Sequence, residues 1–222
     1  TAFQPQTGTT FEVGTRGESG YKKHQFAWDA TYFRANLKNE FLTSCANATC
    51  TTSTTTNVPQ TLHQGIELGL SHLYDKSVDT RITFLYSDFK FVNNAAVGHN
   101  ALPGLPPVML RAEVLYRFGS PVSGGSRAFF GPKFEWAPQK APMDYANTVY
   151  NDSYALWGFK AGQSMSDQWS WFLDARNLTQ KKYAATTNIG ANYTAPATAG
   201  DGRRYYPGDG RSLYAGVEVK FN

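Results

Sequence analysis

The chain has 222 residues and a net charge of +4, and only 17% of its residues are charged, below the roughly 25% of an average soluble domain. Its 15% aromatic content, 20 glycines and 3 methionines suit strands and turns better than helices. No run of about 18 apolar residues is present, which excludes a membrane-spanning helix.

The dominant pattern in chain order is period-two alternation, the mark of strands with two unlike faces. A first strand is predicted over 11–18 and a second over 24–42. Cys45 and Cys50 follow, in Cys-Ala-Asn-Ala-Thr-Cys within a Thr- and Ser-rich stretch. They read as a local disulfide in an oxidising compartment, with two free thiols as the plain alternative. No His or further Cys is near them, so no metal is expected there. In the strand over 61–74, Ile66, Leu68 and Leu70 alternate with Glu67, Gly69 and Ser71. In the strand over 80–92, Ile82, Phe84 and Tyr86 alternate with Arg81, Thr83 and Ser87. In the strand over 107–118, Val108, Leu110, Ala112, Val114, Tyr116 and Phe118 alternate with Arg111, Glu113 and Arg117. Strands over 127–137, 153–164 and 168–183 follow, the last with Trp169, Trp171, Leu173 and Ala175 on one face. The ninth, over 212–221, sets Leu213, Ala215, Val217, Val219 and Phe221 against Tyr214, Gly216, Glu218 and Lys220.

The connections alternate too. Short turn-rich links at 19–23, 75–79, 119–126 and 165–168 interleave with long links at 43–60, 93–106, 138–152 and 184–211. Short turns on one side and long loops on the other describe an all-β, transmembrane antiparallel barrel with periplasmic turns and extracellular loops. The mean hydropathy of −0.44 is compatible with this, because only every second barrel residue faces lipid. A soluble β domain binding carbohydrate or protein is the competing reading. Against it stand strands longer than ten residues and apolar faces that begin or end in Trp, Tyr or Phe, as an interfacial girdle requires. A barrel in one bacterial chain needs an even strand number, and open edges are not tolerated in lipid. Nine strands therefore imply either one strand that the pattern does not reveal or, as expected here, further strands preceding Thr1. The absence of a visible signal peptide agrees with that.

The segment Phe11-Glu12-Val13-Gly14-Thr15-Arg16-Gly17 resembles the "YExGxKG" strand of TonB-dependent outer-membrane receptors. Gly65-Ile66-Glu67-Leu68 resembles that family's "RGxE" strand, with Gln64 in place of Arg. Leu105-Pro106-Pro107 before Arg111 resembles its proline-containing approach to a strand. The stretch from Asp174 to Tyr183 is similar to "NLFDKxY", with Thr179 and Gln180 in place of Phe and Asp. Pro207 to Gly216 resembles "PGxxRxxxxG". Members commonly end on an aromatic residue; here Asn222 follows Phe221.

The resemblance implies that residues 1–222 are the carboxy-terminal portion of a barrel of about 22 strands, without its plug domain. It implies an outer-membrane location and TonB-energised uptake of a large scarce nutrient, an iron–siderophore-type chelate first. The implied partners are outer-membrane lipid, the amino-terminal strands and plug of the same receptor, the TonB complex through that plug, and the chelate itself. A passive porin or small structural barrel is the alternative. No enzyme activity, cofactor or metal site is expected: Gly-x-Ser-x-Gly is absent and His24, His63, His72 and His99 are dispersed. His63 is expected to face the lumen, and Asp174 beside Arg176 to form a structural ion pair there. Lys22-Lys23, Lys181-Lys182 and Arg203-Arg204 are scattered basic pairs, solvated turn or loop charges rather than a nucleic-acid surface. Ligand contacts are expected from the outer loops: His99, Tyr145, Tyr150, Arg203, Arg204, Tyr205 and Tyr206. Aromatic and guanidinium groups suit an anionic chelate, against the plainer role of ordering those loops.

Overall fold

A computed structural model describes residues 3–45, 52–119, 126–166, 168–188 and 204–221, with 44, 45, 187, 188, 204 and 205 described by backbone alone. No helix occurs among them. One nine-stranded antiparallel sheet runs in sequence order through β1 (Thr7–Tyr21), β2 (His24–Cys45), β3 (Ser53–Tyr74), β4 (Val78–Phe91), β5 (Val108–Gly119), β6 (Arg127–Ala137), β9 (Tyr154–Ser164), β10 (Trp169–Arg176) and β13 (Ser212–Val219). Between them, β7 (Ala141–Pro142) pairs with β8 (Tyr150–Asn151), and β11 (Ala184–Asn188) with β12 (Arg204–Pro207), each pair inside one long loop. The nine predicted strands all form, and each pairs with its neighbours in the sequence of main strands.

Two boundaries differ from expectation. The predicted loop over 43–60 is mostly strand: β2 runs to Cys45 and β3 starts at Ser53. The Thr run is polar but β-branched, and such residues favour strands; the Thr43 and Thr55 hydroxyls bond across the hairpin at 2.8 Å. The predicted strand over 168–183 stops at Arg176. Asn177 takes a φ of 47°, and its side chain donates to the Lys181 and Asp209 carbonyls and accepts from the Lys181 N–H. Asn tolerates this left-handed conformation, and its local hydrogen bonds replace the ladder.

Register separates the two faces. On one, Trp28, Leu70, Ile82, Ala112, Phe134 and Trp157 form a continuous row across β2, β3, β4, β5, β6 and β9. These side chains pack against no second layer: Trp28, Leu70 and Trp157 stay 38%, 39% and 48% exposed. A soluble sandwich would bury this face under another sheet; here lipid is its partner. Along β5 the apolar set from Val108 to Phe118 covers about 33 Å at 3.3 Å per residue, or about 25 Å of height at a barrel strand's usual tilt of about 40°. The band ends in Tyr32 and Tyr86 on the loop side. Beyond them the same face turns polar: Arg34 bonds Gln64, Gln64 bonds Asp88, and Lys90 pairs with Asp88 at 2.7 Å. At the turn side Tyr116 stacks on Phe118, and Phe130 meets both rings edge-on. The buried apolar core lies at the loop end, where Val58, Phe91, Val97 and Tyr145 pack with Leu42 and Leu102.

Candidate functional site

The opposite face carries a band of charged residues. Ser71, Arg81, Glu113, Lys133 and Gly158 are successive register partners in one row, and Asp29, Gly69, Thr83, Arg111, Glu135 and Leu156 in the next. Alternating signs on adjacent strands build ion pairs across the ladder. Asp79 takes Arg117 at 2.7 Å and Arg81 at 3.3 Å. Arg111 meets Glu135 at 2.9 Å, and Lys160 meets Glu113 at 3.7 Å. Asp174, with a side chain 10% exposed, holds both Lys133 at 2.7 Å and Arg176 at 2.8 Å. The expected Asp174–Arg176 pair is therefore present, with a second cation that comes from β6 and lies 41 residues away in sequence. Glu12, Glu18, Asp29 and Glu67 on β1–β3 have no ion partner among the described residues. A concavity of about 450 Å³ on this wall is lined by Arg81, Arg111, Lys133, Glu135, Arg176 and Tyr183 among others. Such a face is that of a solvated interior.

Above the lipid band, the loops between β4 and β5 and between β6 and β9 form one body. Asn147 exchanges two hydrogen bonds with the Ala101 backbone, at 2.8 and 3.0 Å. Asn100 donates to the Tyr145 carbonyl, and Gly104 N–H to Pro142. Asp144 is fully buried and accepts from Thr148 N–H, Thr148 O–H and Val149 N–H. At Asn39, whose φ is 55°, the β2 alternation shifts, so that Glu40 reaches the inner side. There it accepts from Thr61 at 2.5 Å and bonds His63 at 3.2 Å, with the Phe89 ring stacked on the imidazole. Burial pushes the Glu40 carboxyl up, but the hydrogen bonds from His63 and Thr61 outweigh it and leave the group below its ordinary value. Alternation placed His63 correctly; the Glu40–Thr61–His63 cluster had no signal in the sequence, because it depends on the shift at Asn39.

The expected ligand residues fall apart by environment. His99 and Tyr150 are exposed on the two interlocked loops, and Tyr206 is exposed on β12. Tyr145 is not on the loop surface. It is 3% exposed, packs on Phe91 at 5.7 Å and donates its hydroxyl to the Thr43 carbonyl. Burial, and then the Glu40 charge, raise its pKa to about 12. Its hydroxyl ties the loop between β6 and β9 to the end of β2. Arg204 and Tyr205 lie on β12 by backbone; Arg203 and Cys50 fall outside the described residues, so the Cys45–Cys50 pairing does as well.

A family model described as TonB dependent receptor-like, beta-barrel, matches residues 1–178. No curated protein sequence matches significantly. Among solved structures, the chain is similar to the copper transporter OprC (17% identity, TM-score 0.72). It is also similar to the ferric yersiniabactin uptake receptor FyuA of Yersinia pestis (16%, 0.71) and to the FrpB iron transporter of Neisseria meningitidis (18%, 0.66). It is covered over 99%, 98% and 99% of its length respectively, and spans 32%, 30% and 32% of theirs, about a third. With the lipid-facing band, the charged interior and a match over 178 of 222 residues, the chain belongs to the TonB-dependent receptor β-barrel family of the bacterial outer membrane.

Proposed function

We propose that these strands form the carboxy-terminal part of a receptor that captures a large, scarce nutrient at the cell surface and imports it with energy delivered through TonB. An iron–siderophore-type chelate is the favoured cargo. The observation that carries this is the pairing of a charged inner wall with outer loops already packed into a fixed body around Phe91 and Tyr145. A fixed loop body binds with less ordering cost than a floppy one. Proteins of the same fold named as a ferric yersiniabactin uptake receptor and an iron transporter support the choice of cargo. In this reading, further strands of the parent protein pair with the free edges of β1 and β13. A plug from the same protein sits against the inner wall and carries the contact to TonB.

The test is uptake of a radiolabelled ferric chelate by iron-starved cells that carry or lack the parent gene, each with TonB intact or inactivated. Uptake should require both the gene and TonB. Gene-dependent uptake that persists without TonB or after a protonophore would mean a passive pore instead.

A further inference from the structure

The lipid face changes character above its aromatic edge. Tyr32, Ile66 and Tyr86 form the last apolar row of β2–β4 on the loop side, and Arg34, Gln64 and Asp88 form the row directly above it. Asn36, Leu62 and Lys90 follow, and then Lys38 with Gln60. Arg34 Nη1 donates to Gln64 Oε1 at 3.2 Å, Gln64 Nε2 donates to Asp88 Oδ2 at 2.7 Å, and Lys90 Nζ donates to the same oxygen at 2.7 Å. This run fixes a cation at each end with a single carboxylate between them. Arg34 and Lys38 are exposed, and neither has a carboxylate partner among the described residues. Their partners on β1 are uncharged, Phe11 for Arg34 and Thr7 for Lys38. On this face the cations Arg34, Lys38 and Lys90 therefore outnumber the lone carboxylate of Asp88.

We infer that Arg34, Lys38 and Lys90 form a docking site for the phosphate groups of an outer-leaflet lipid, whose acyl chains lie on the apolar band directly below. Each two-residue step along a tilted strand adds about 5 Å of height, so Arg34 stands about 5 Å and the Lys90 row about 10 Å above Tyr32. The headgroup layer on one side of a bilayer is about 5–8 Å thick, and it is deeper where the headgroup carries sugars. The cations thus lie at headgroup depth on a surface continuous with the lipid contact, and their excess charge complements an anion. Arg34 commits one N–H to Gln64, and a guanidinium has five in a fork that matches phosphate oxygens. The site rests on the assignment of the chain to an outer-membrane barrel, not on the choice of cargo.

Titration of the untagged full-length receptor in nonionic detergent with lipid A, a bisphosphorylated acylated disaccharide, tests this, with bound lipid counted by native mass spectrometry. Lipid A should bind at least about tenfold more tightly than its dephosphorylated form. Arg34→Gln and Lys38→Gln break no ion pair; each should weaken binding about fivefold, and the double variant at least about tenfold. Lys220→Gln, at the turn side, should leave it unchanged. All variants are checked for folding by the heat-dependent mobility of the barrel on gels. Equal binding of the two lipids, or full binding of lipid A by the folded double variant, overturns the assignment. So does displacement of lipid A by an equal concentration of inorganic phosphate, which would mean a site for a free anion. Receptor dimers that the double variant abolishes would place a second copy on this face and overturn it as well.

Discussion

Replacing Phe91 with alanine should free the outer loops without unfolding the wall. The Phe91 side chain is 0% exposed and sits between Val58, Val97 and Tyr145. Its ring meets Tyr145 edge-on at 5.7 Å and 72°. Truncation of a buried Phe costs about 3–5 kcal/mol. The loss is local, because the nine-stranded ladder below is held by its own hydrogen bonds and by lipid. A penalty of that size raises the open fraction of the loops between β4 and β5 and between β6 and β9 by about two to four powers of ten. Protease nicking of these loops on intact cells reports that fraction when opening is fast compared with cleavage. Phe91→Ala should speed nicking by at least about a hundredfold and weaken chelate binding, with the heat-dependent gel mobility of the barrel unchanged. A change in nicking of under about tenfold would refute the idea that this cluster locks the loops together.

Ile82→Arg puts a charge at the centre of the lipid band and should cost about 2–4 kcal/mol, whereas Thr83→Arg, one residue on and facing the interior, should cost under about 1 kcal/mol; urea titration of folding into lipid vesicles measures both. Asp174→Asn leaves Lys133 and Arg176 without their shared carboxylate and should lower the urea midpoint by an amount equivalent to about 1.5–3 kcal/mol. Glu40 is held below the ordinary carboxyl pKa, so its contribution to loop anchoring is complete above its unfolded value of about 4.3 and is lost as pH falls through the lowered folded value. Loop nicking should therefore be flat from neutral pH to about 5 and rise only in stronger acid, and Glu40→Gln should remove that rise.

The wall was legible in the sequence because a barrel strand repeats one simple rule. Ile66, Leu68 and Leu70 face lipid because every second residue must, and one residue of slippage would turn Glu67 outward. The rule lapses wherever the backbone breaks period two. Asn39 and Asn177, both at positive φ, shifted or ended strands that the pattern would have carried on. The Thr residues at the start of β3 look like loop by their polarity, but β-branching carries the strand through them. In the loops no period exists: Tyr145 is buried by Phe91, Val58 and the Thr43 carbonyl, and nothing in the residues around Tyr145 announces those partners. The same holds for His24 and His72, which only the pairing of β2 with β3 brings into contact.

The nine-stranded wall has lipid on one side and a watery interior on the other. Single nitroxide labels at residues 66 to 71 of the intact receptor in lipid vesicles test it directly. Labels at Ile66, Leu68 and Leu70 should collide with oxygen, which concentrates in the bilayer, and labels at Glu67, Gly69 and Ser71 with a water-soluble nickel chelate, in strict opposite phase. Loss of the alternation, or protection of the even-numbered positions from both reagents, would contradict the account.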